Sequence, residues 1–170
     1  MKLRIDDPMR DSKLRIYHSS MINELIHGTQ GELTLVGPSD TAHTYIFAKP
    51  KNADEFPPDV RFVYAKHEDR RFYLGMLEGD HFRCTHNSKF DESCESVKGA
   101  KYIVKLAQNQ NLMNWTAMCL YQSGKCARCG RTLDSGFGLE HGFGKSCWKK
   151  HQLEREVEES IDADFRSKPL

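Results

Sequence analysis

The sequence predicts an α+β protein in which a small antiparallel sheet is packed by an amphipathic helix and followed by a cysteine-bearing C-terminal module. Three observations predict it. Two stretches of alternating apolar and polar residues, each broken by a turn cluster, read as hairpins. Between Ser96 and Asn109, Val97, Ala100, Ile103, Val104 and Ala107 recur at helical spacing. Of six cysteines at 84, 94, 119, 126, 129 and 147, half fall in one short segment. A chain of 170 residues can bury one core with a small appended module, but not two large domains.

Residues 1–18 are charged and aperiodic, and are expected as an arm or a first edge strand. The α+β body then covers 19–122, the cysteine module with its helix 123–161, and a frayed acidic tail 162–170. In SSMINELIHG, Ser19 or Ser20 is the expected N-cap, Ile22, Leu25 and Ile26 share a face, and Gly28 marks the stop, so a short helix is expected. GELTLVGPSDTAHTYIFAK alternates on both sides of Gly37-Pro38-Ser39-Asp40 and reads as the first hairpin. After the loop KPKNADEFPPD, VRFVYAK and RRFYLGML flank His67-Glu68-Asp69 as the second, and DHFRCTH adds a short strand. The 96–109 helix carries Lys98, Lys101 and Lys105 toward another face. WTAMCLY is a further strand, and Leu153, Val157 and Ile161 continue a helical stripe to about Ile161.

Lys+Arg 25 against Asp+Glu 24 leaves a formal charge of +1, so the global field selects no partner and any binding surface must be local. MKLRIDDPMRDSK has no apolar core of a signal peptide, and no apolar run is long enough to span a bilayer. The expectation is a soluble, cytoplasmic protein. Cys84, Cys94 and Cys119 form an odd set outside the cluster, which fits a reducing compartment in which they serve as small buried residues.

Cys126-x2-Cys129 and Cys147-x3-His151 supply two ligand pairs. A C-x2-C turn aims both sulfurs at one point, and residues at i and i+4 stack on one helix face. The preceding GFGKS gives the backbone freedom to enter that helix, with Ser146 as cap. Four nitrogen and sulfur ligands in tetrahedral number imply one Zn2+ per chain rather than calcium or magnesium. His141 is the alternative to His151. Four protein ligands close the coordination sphere, so the zinc is expected to be structural, and no H-E-x-x-H or H-x-E motif suggests a catalytic one. His81, Cys84, His86 and Cys94 form a looser group without knuckle spacing, and read as strand and loop residues.

The segment GKCARCGRTLDSGFGLEHGFGKSC resembles the small zinc-finger domain of unknown function found in phage and prophage proteins, with its pattern G-x-C-x2-C-G-R-x-L, a variable loop, then G-x-G-x2-C. A knuckle, a hairpin and a helix carrying the second ligand pair also resemble a treble-clef finger, so the module is expected to be treble-clef-like. With FYLGML and HFRCTHNSKF the likeness extends over about residues 20–151. Where those proteins often read G-I-G-P, this chain has Gly142-Phe143-Gly144-Lys145. The resemblance implies a phage or mobile-element source, hence a host cytoplasm, and no particular reaction.

Charge separates the two ends of the module. Between 125 and 151, Lys125, Arg128, Arg131, Lys145, Lys149 and Lys150 oppose Asp134 and Glu140, a formal +4, whereas 152–170 carries a formal −3. Phe137, Phe143 and Trp148 are interleaved with the cations. Cations beside aromatic faces suit phosphates and unpaired bases, so the six cations and Phe143 are the expected contacts for DNA or RNA, bound without sequence specificity and without catalysis. The alternative is an interaction protein that binds a host enzyme or defence factor through the acidic helix or a strand edge. A metal-dependent nuclease is the minor third reading.

Overall fold

The computed structural model describes residues 12–37, 41–113 and 118–167. Its strands are β1 (Gln30–Val36), β2 (Ala42–Ala48), β3 (Val60–His67), β4 (Arg70–Glu78), β5 (His81–Arg83) and β6 (Cys119–Gln122). They form one antiparallel sheet in the order β5-β4-β3-β2-β1-β6. The first five make a meander, and β6 returns from the far side of the chain to pair its four residues with Leu33–Val36. Helices α1 (Ser19–Ile26) and α2 (Glu95–Gln108) cover one sheet face, while α3 (Gly136–His141) and α4 (Lys145–Ser167) follow β6.

Period-two alternation explains where the core sits. Leu33 and Leu35 of β1, Tyr45 and Phe47 of β2, and Val63 of β3 point to the helices, where Ile22, Leu25 and Ile26 of α1 and Val97, Ala100, Ile103 and Val104 of α2 meet them. Each such Leu, Ile, Val or Phe side chain contributes about 1.5–3 kcal/mol on burial. Gly31 lets α1 approach this closely: a Cβ there would lie 1.9 Å from the Leu25 carbonyl oxygen. Lys98 and Lys105 are exposed, as the helical period requires, and Lys101 is half-buried with its ammonium 2.7 Å from Glu92.

The hairpins and the 96–109 helix fall where the sequence pattern puts them. Pro38, Ser39 and Asp40 of the first turn, residues 115–117 of the last expected strand and residues 1–11 of the arm lie outside the described residues. The described end of the arm is an edge: Ile16 N–H donates to Leu120 O at 2.8 Å, and Arg15 bridges Tyr121.

Three details differ from expectation. His18, not Ser19 or Ser20, is the N-cap of α1, and the Ser19 N–H is met instead by Gln110 Oε1 at 2.8 Å, so a distant side chain replaces the local cap. The glycine-rich stretch before Cys147 contains a helix, α3, because Ser135 accepts the Gly138 N–H and Gly142, at φ 76°, ends it in the left-handed region. Finally, α4 does not stop near Ile161 but runs through Ser167. Its Glu- and Arg-rich turns contain no glycine or proline before Pro169.

Buried polar groups tie the end of α1 to the sheet. Arg61, only 1% exposed, donates to the carbonyls of His27, Gly28, Pro58 and Val60 at 2.6–2.9 Å. Two of these carbonyls belong to the chain leaving α1, so the guanidinium also serves the negative end of that helix. His27, equally buried, sets Nδ1 2.9 Å from Asn23 O and Nε2 3.0 Å from Gly79 O. Burial holds its pKa below the usual histidine value; the two carbonyls pull upward, Arg155 and Arg61 push down, and the net direction is down. The folded state therefore binds fewer protons at His27 than the unfolded one, so this contribution is complete above about pH 6.5 and is lost as pH falls below it. Denaturant midpoints measured from pH 7.5 to 5 should decline, and His27→Gln should flatten that decline.

Candidate metal centre

The segment after β6 folds back on itself around the C-x2-C pair. Lys125 bridges Thr132, Cys126 N–H donates to Arg131 O at 2.8 Å, and Leu133 N–H to Gly124 O at 2.8 Å. Gly130 closes the turn: its N–H donates to Cys126 O at 2.9 Å, and its φ of 76° lies where a side chain would be strained. This is a knuckle, and both its cysteines face one side. The chain then passes through α3 and enters α4 at Gly144, whose carbonyl accepts the Trp148 N–H at 2.8 Å. Cys147 thus stands in the first turn of α4, facing the knuckle.

The sulfurs of Cys126, Cys129 and Cys147 all lie within 4.8 Å of one another. Cys126 is buried, Cys147 half-buried and Cys129 exposed. Burial pushes the Cys126 thiol up, but the backbone N–H groups of Cys129, Gly144 and Arg128 face its sulfur and bring it below the ordinary value. Cys147 is pushed up, by burial first and then by the neighbouring Cys129 and Cys126 sulfurs. Three sulfurs this close cannot all ionise without a counter-charge. A dication supplies it, so the donor set and its crowding fit one soft or borderline metal ion, held by these three cysteines. Among the described residues no other three His, Cys, Asp or Glu ligand atoms lie so close, and His81, Cys84, His86 and Cys94 make no such group.

Neither candidate histidine joins the sulfurs. His151, 3% exposed, donates from Nε2 to Glu24 Oε2 at 2.5 Å and stacks on Phe143 with ring centroids 4.4 Å apart. The spacing from Cys147 does place it on the same helix face, but one turn further along α4, where that face meets Glu24 of α1 instead of the knuckle. His141 donates from Nδ1 to Phe137 O at 2.9 Å and stacks on the Phe137 ring at 4.1 Å. The fourth donor expected from the sequence therefore does not reach the three sulfurs. Glu24 is half in solvent and its carboxyl is drawn below the usual range: burial opposes this, but the His151 hydrogen bond and charge prevail.

The expected nucleic-acid contacts divide. Lys125, Arg131, Lys145, Lys149 and Lys150 are exposed. Arg128 is half-buried and committed, its Nη2 2.7 Å from Glu154 Oε1. Phe143 is fully buried between His151 and Trp148 and cannot stack on a base. An aromatic residue flanked by cations looks the same in sequence whether it packs inward or faces solvent. Phe137 instead carries Lys145 Nζ 5.7 Å from its ring centre. Sequence reasoning missed Asp134, which lines the same cleft as the three cysteines; its place between the knuckle and the Ser135 cap was the available signal.

The chain matches no family model, no curated protein and no solved structure in comparisons with known proteins. No helix among the described residues is long and apolar enough to cross a membrane.

Cys129→Ser and Cys147→Ser should each abolish stoichiometric metal binding and open residues 124–144 to protease, because metal binding in so small a unit is folding free energy. His151→Ala should keep the metal while losing about 2–5 kcal/mol of stability from the cavity left beside Phe143 and Trp148. Elemental analysis and urea denaturation of the three variants separate these effects.

Proposed function

We propose that the protein is a non-enzymatic nucleic-acid-binding protein of phage type, in which one Zn2+ held by Cys126, Cys129 and Cys147 fixes a basic surface. The zinc joins the knuckle to the first turn of α4 and supplies structure. The observation that carries the reading is the exposure of five cations on these two joined elements, Lys125, Arg131, Lys145, Lys149 and Lys150, against exposed Asp134 and Glu140. Phosphates need such an excess and little else, so contact to the DNA or RNA backbone is sequence-independent. With Phe143 buried, base stacking has little part in it, and duplex and single strands are expected to bind alike. The treble-clef-like character of the module belongs to this reading, with α3 standing where a treble clef has its hairpin. Lys145, Lys149 and Lys150 changed together to Ala should weaken binding to unrelated sequences equally and reduce the salt slope by about three, one per lost phosphate contact. Unchanged affinity in low salt would remove the reading.

A second reading, a protein that binds a host enzyme or defence factor, has its own observation. Leu153, Val157 and Ile161 are 61%, 58% and 50% exposed, on successive turns of α4. Large apolar side chains aligned in this way mark contact surfaces more often than scattered ones do. Val157→Asp should leave nucleic-acid binding intact and abolish capture of a host protein from nuclease-treated lysate. Capture that survives the substitution would exclude the stripe.

A further inference from the structure

The three sulfurs are not enclosed. They form one wall of a cleft of about 220 Å³ whose other walls come from Arg131, Thr132, Asp134, Ser135 and Ser146. A zinc ion takes four ligands, and sites with three protein ligands leave the fourth to an outside molecule. On the protein side the expected fourth donor does not reach the site: neither His151 nor His141 is among the residues whose ligand atoms gather within 4.8 Å. Asp134 is the only carboxylate in the cleft, and its oxygens are not among the ligand atoms gathered within 4.8 Å.

We propose that the fourth position of this metal site opens to the cleft and takes an exchangeable thiolate from outside the chain. The proposal rests on the reading of the sulfur cluster as a zinc centre and adds to it the ligand class. Three thiolates make the ion soft, so sulfur is preferred over the hard oxygen of Asp134 or of the cleft hydroxyls. Four thiolates on a dication carry excess negative charge, and the surroundings answer it. Arg131 lines the cleft, Arg128 lies against Cys147, and the backbone amides of Cys129, Gly144 and Arg128 face the Cys126 sulfur. The volume admits a small thiol or a single cysteine side chain. On binding, the thiol releases its proton to solvent and its sulfur completes the shell; no electron is transferred.

Cobalt(II) reports this directly, because its sulfur charge-transfer absorption scales with the number of bound thiolates. The full-length protein is loaded with Co2+, desalted, and titrated with 2-mercaptoethanol. The charge-transfer intensity should rise by about one third as three sulfurs become four, saturably, and reverse on desalting. His151→Gln, which keeps a donor for Glu24, and Asp134→Asn should start from the wild-type spectrum and respond alike. A spectrum indifferent to thiol overturns the proposal. In that event, a changed starting spectrum in Asp134→Asn or His151→Gln identifies the residue that closes the site. Failure to retain any Co2+ overturns the zinc reading itself, and is distinguished by metal content before thiol is added.

Discussion

The backbone of Ala127 is the joint on which the C-terminal module depends. Its N–H donates to Gly142 O at 2.9 Å and its carbonyl accepts from Gln30 N–H at 2.8 Å, so one residue inside the C-x2-C turn is held by the end of α3 and by the start of β1. The fit is close on both sides. A Cβ on Gly28 would come within 2.9 Å of Ala127 O, and one on Gly142 within 2.4 Å of Leu25 Cδ2. The knuckle is thereby packed directly on the C-terminal end of α1, and the metal site inherits its position from the core of the body rather than from a linker. Chain residues 124–147 have few apolar side chains of their own, and this borrowed core is what a small cysteine module requires.

Helix α4 shows the same dependence, carried by charge. His151 meets Glu24, Glu154 meets Arg128 at 2.7 Å and Lys49 at 3.7 Å, and Glu158 lies 3.9 Å from Lys49 and 3.8 Å from Arg155. These half-exposed pairs are individually weak, but the network fixes the rotation of the helix about its axis. That rotation has two consequences. It seats His151 on Glu24 of α1, one turn beyond the sulfurs, and it leaves Leu153, Val157 and Ile161 facing solvent. The apolar stripe of α4 is its outer face, because carboxylates and a histidine, not aliphatic side chains, make the inner contacts.

Function follows from which side chains this packing consumes and which it leaves. Arg128 and Phe143 are spent on holding the module together, through Glu154 and through the His151–Trp148 aromatic group. The remaining five cations are exposed, and one of them, Arg131, lines the sulfur-bearing cleft. A phosphate backbone and a soft ligand make different demands, one on long-range charge and the other on a short-range donor set, so both can be served by neighbouring parts of one surface.

Much of this was legible in the sequence by itself. Alternation around 37–40 and 67–69, the stripe from Val97 to Ala107 and the C-x2-C knuckle are local patterns, governed by the periods of strand and helix and by turn geometry, and each appears where those periods put it. So did the convergence of Cys126, Cys129 and Cys147. What the spacing of Cys147 and His151 encodes is only a shared helix face. Which neighbour that face meets depends on Glu24, 127 residues away in sequence, and on the aromatic ring of Phe143. The same limit applies to the cap of α1, supplied by Gln110, and to the exposure of the α4 stripe. Local sequence determines the conformation a segment prefers and the donors it offers; the partners of those donors are decided only when distant segments are packed together, since side-chain chemistry is satisfied by whatever group the fold brings within reach.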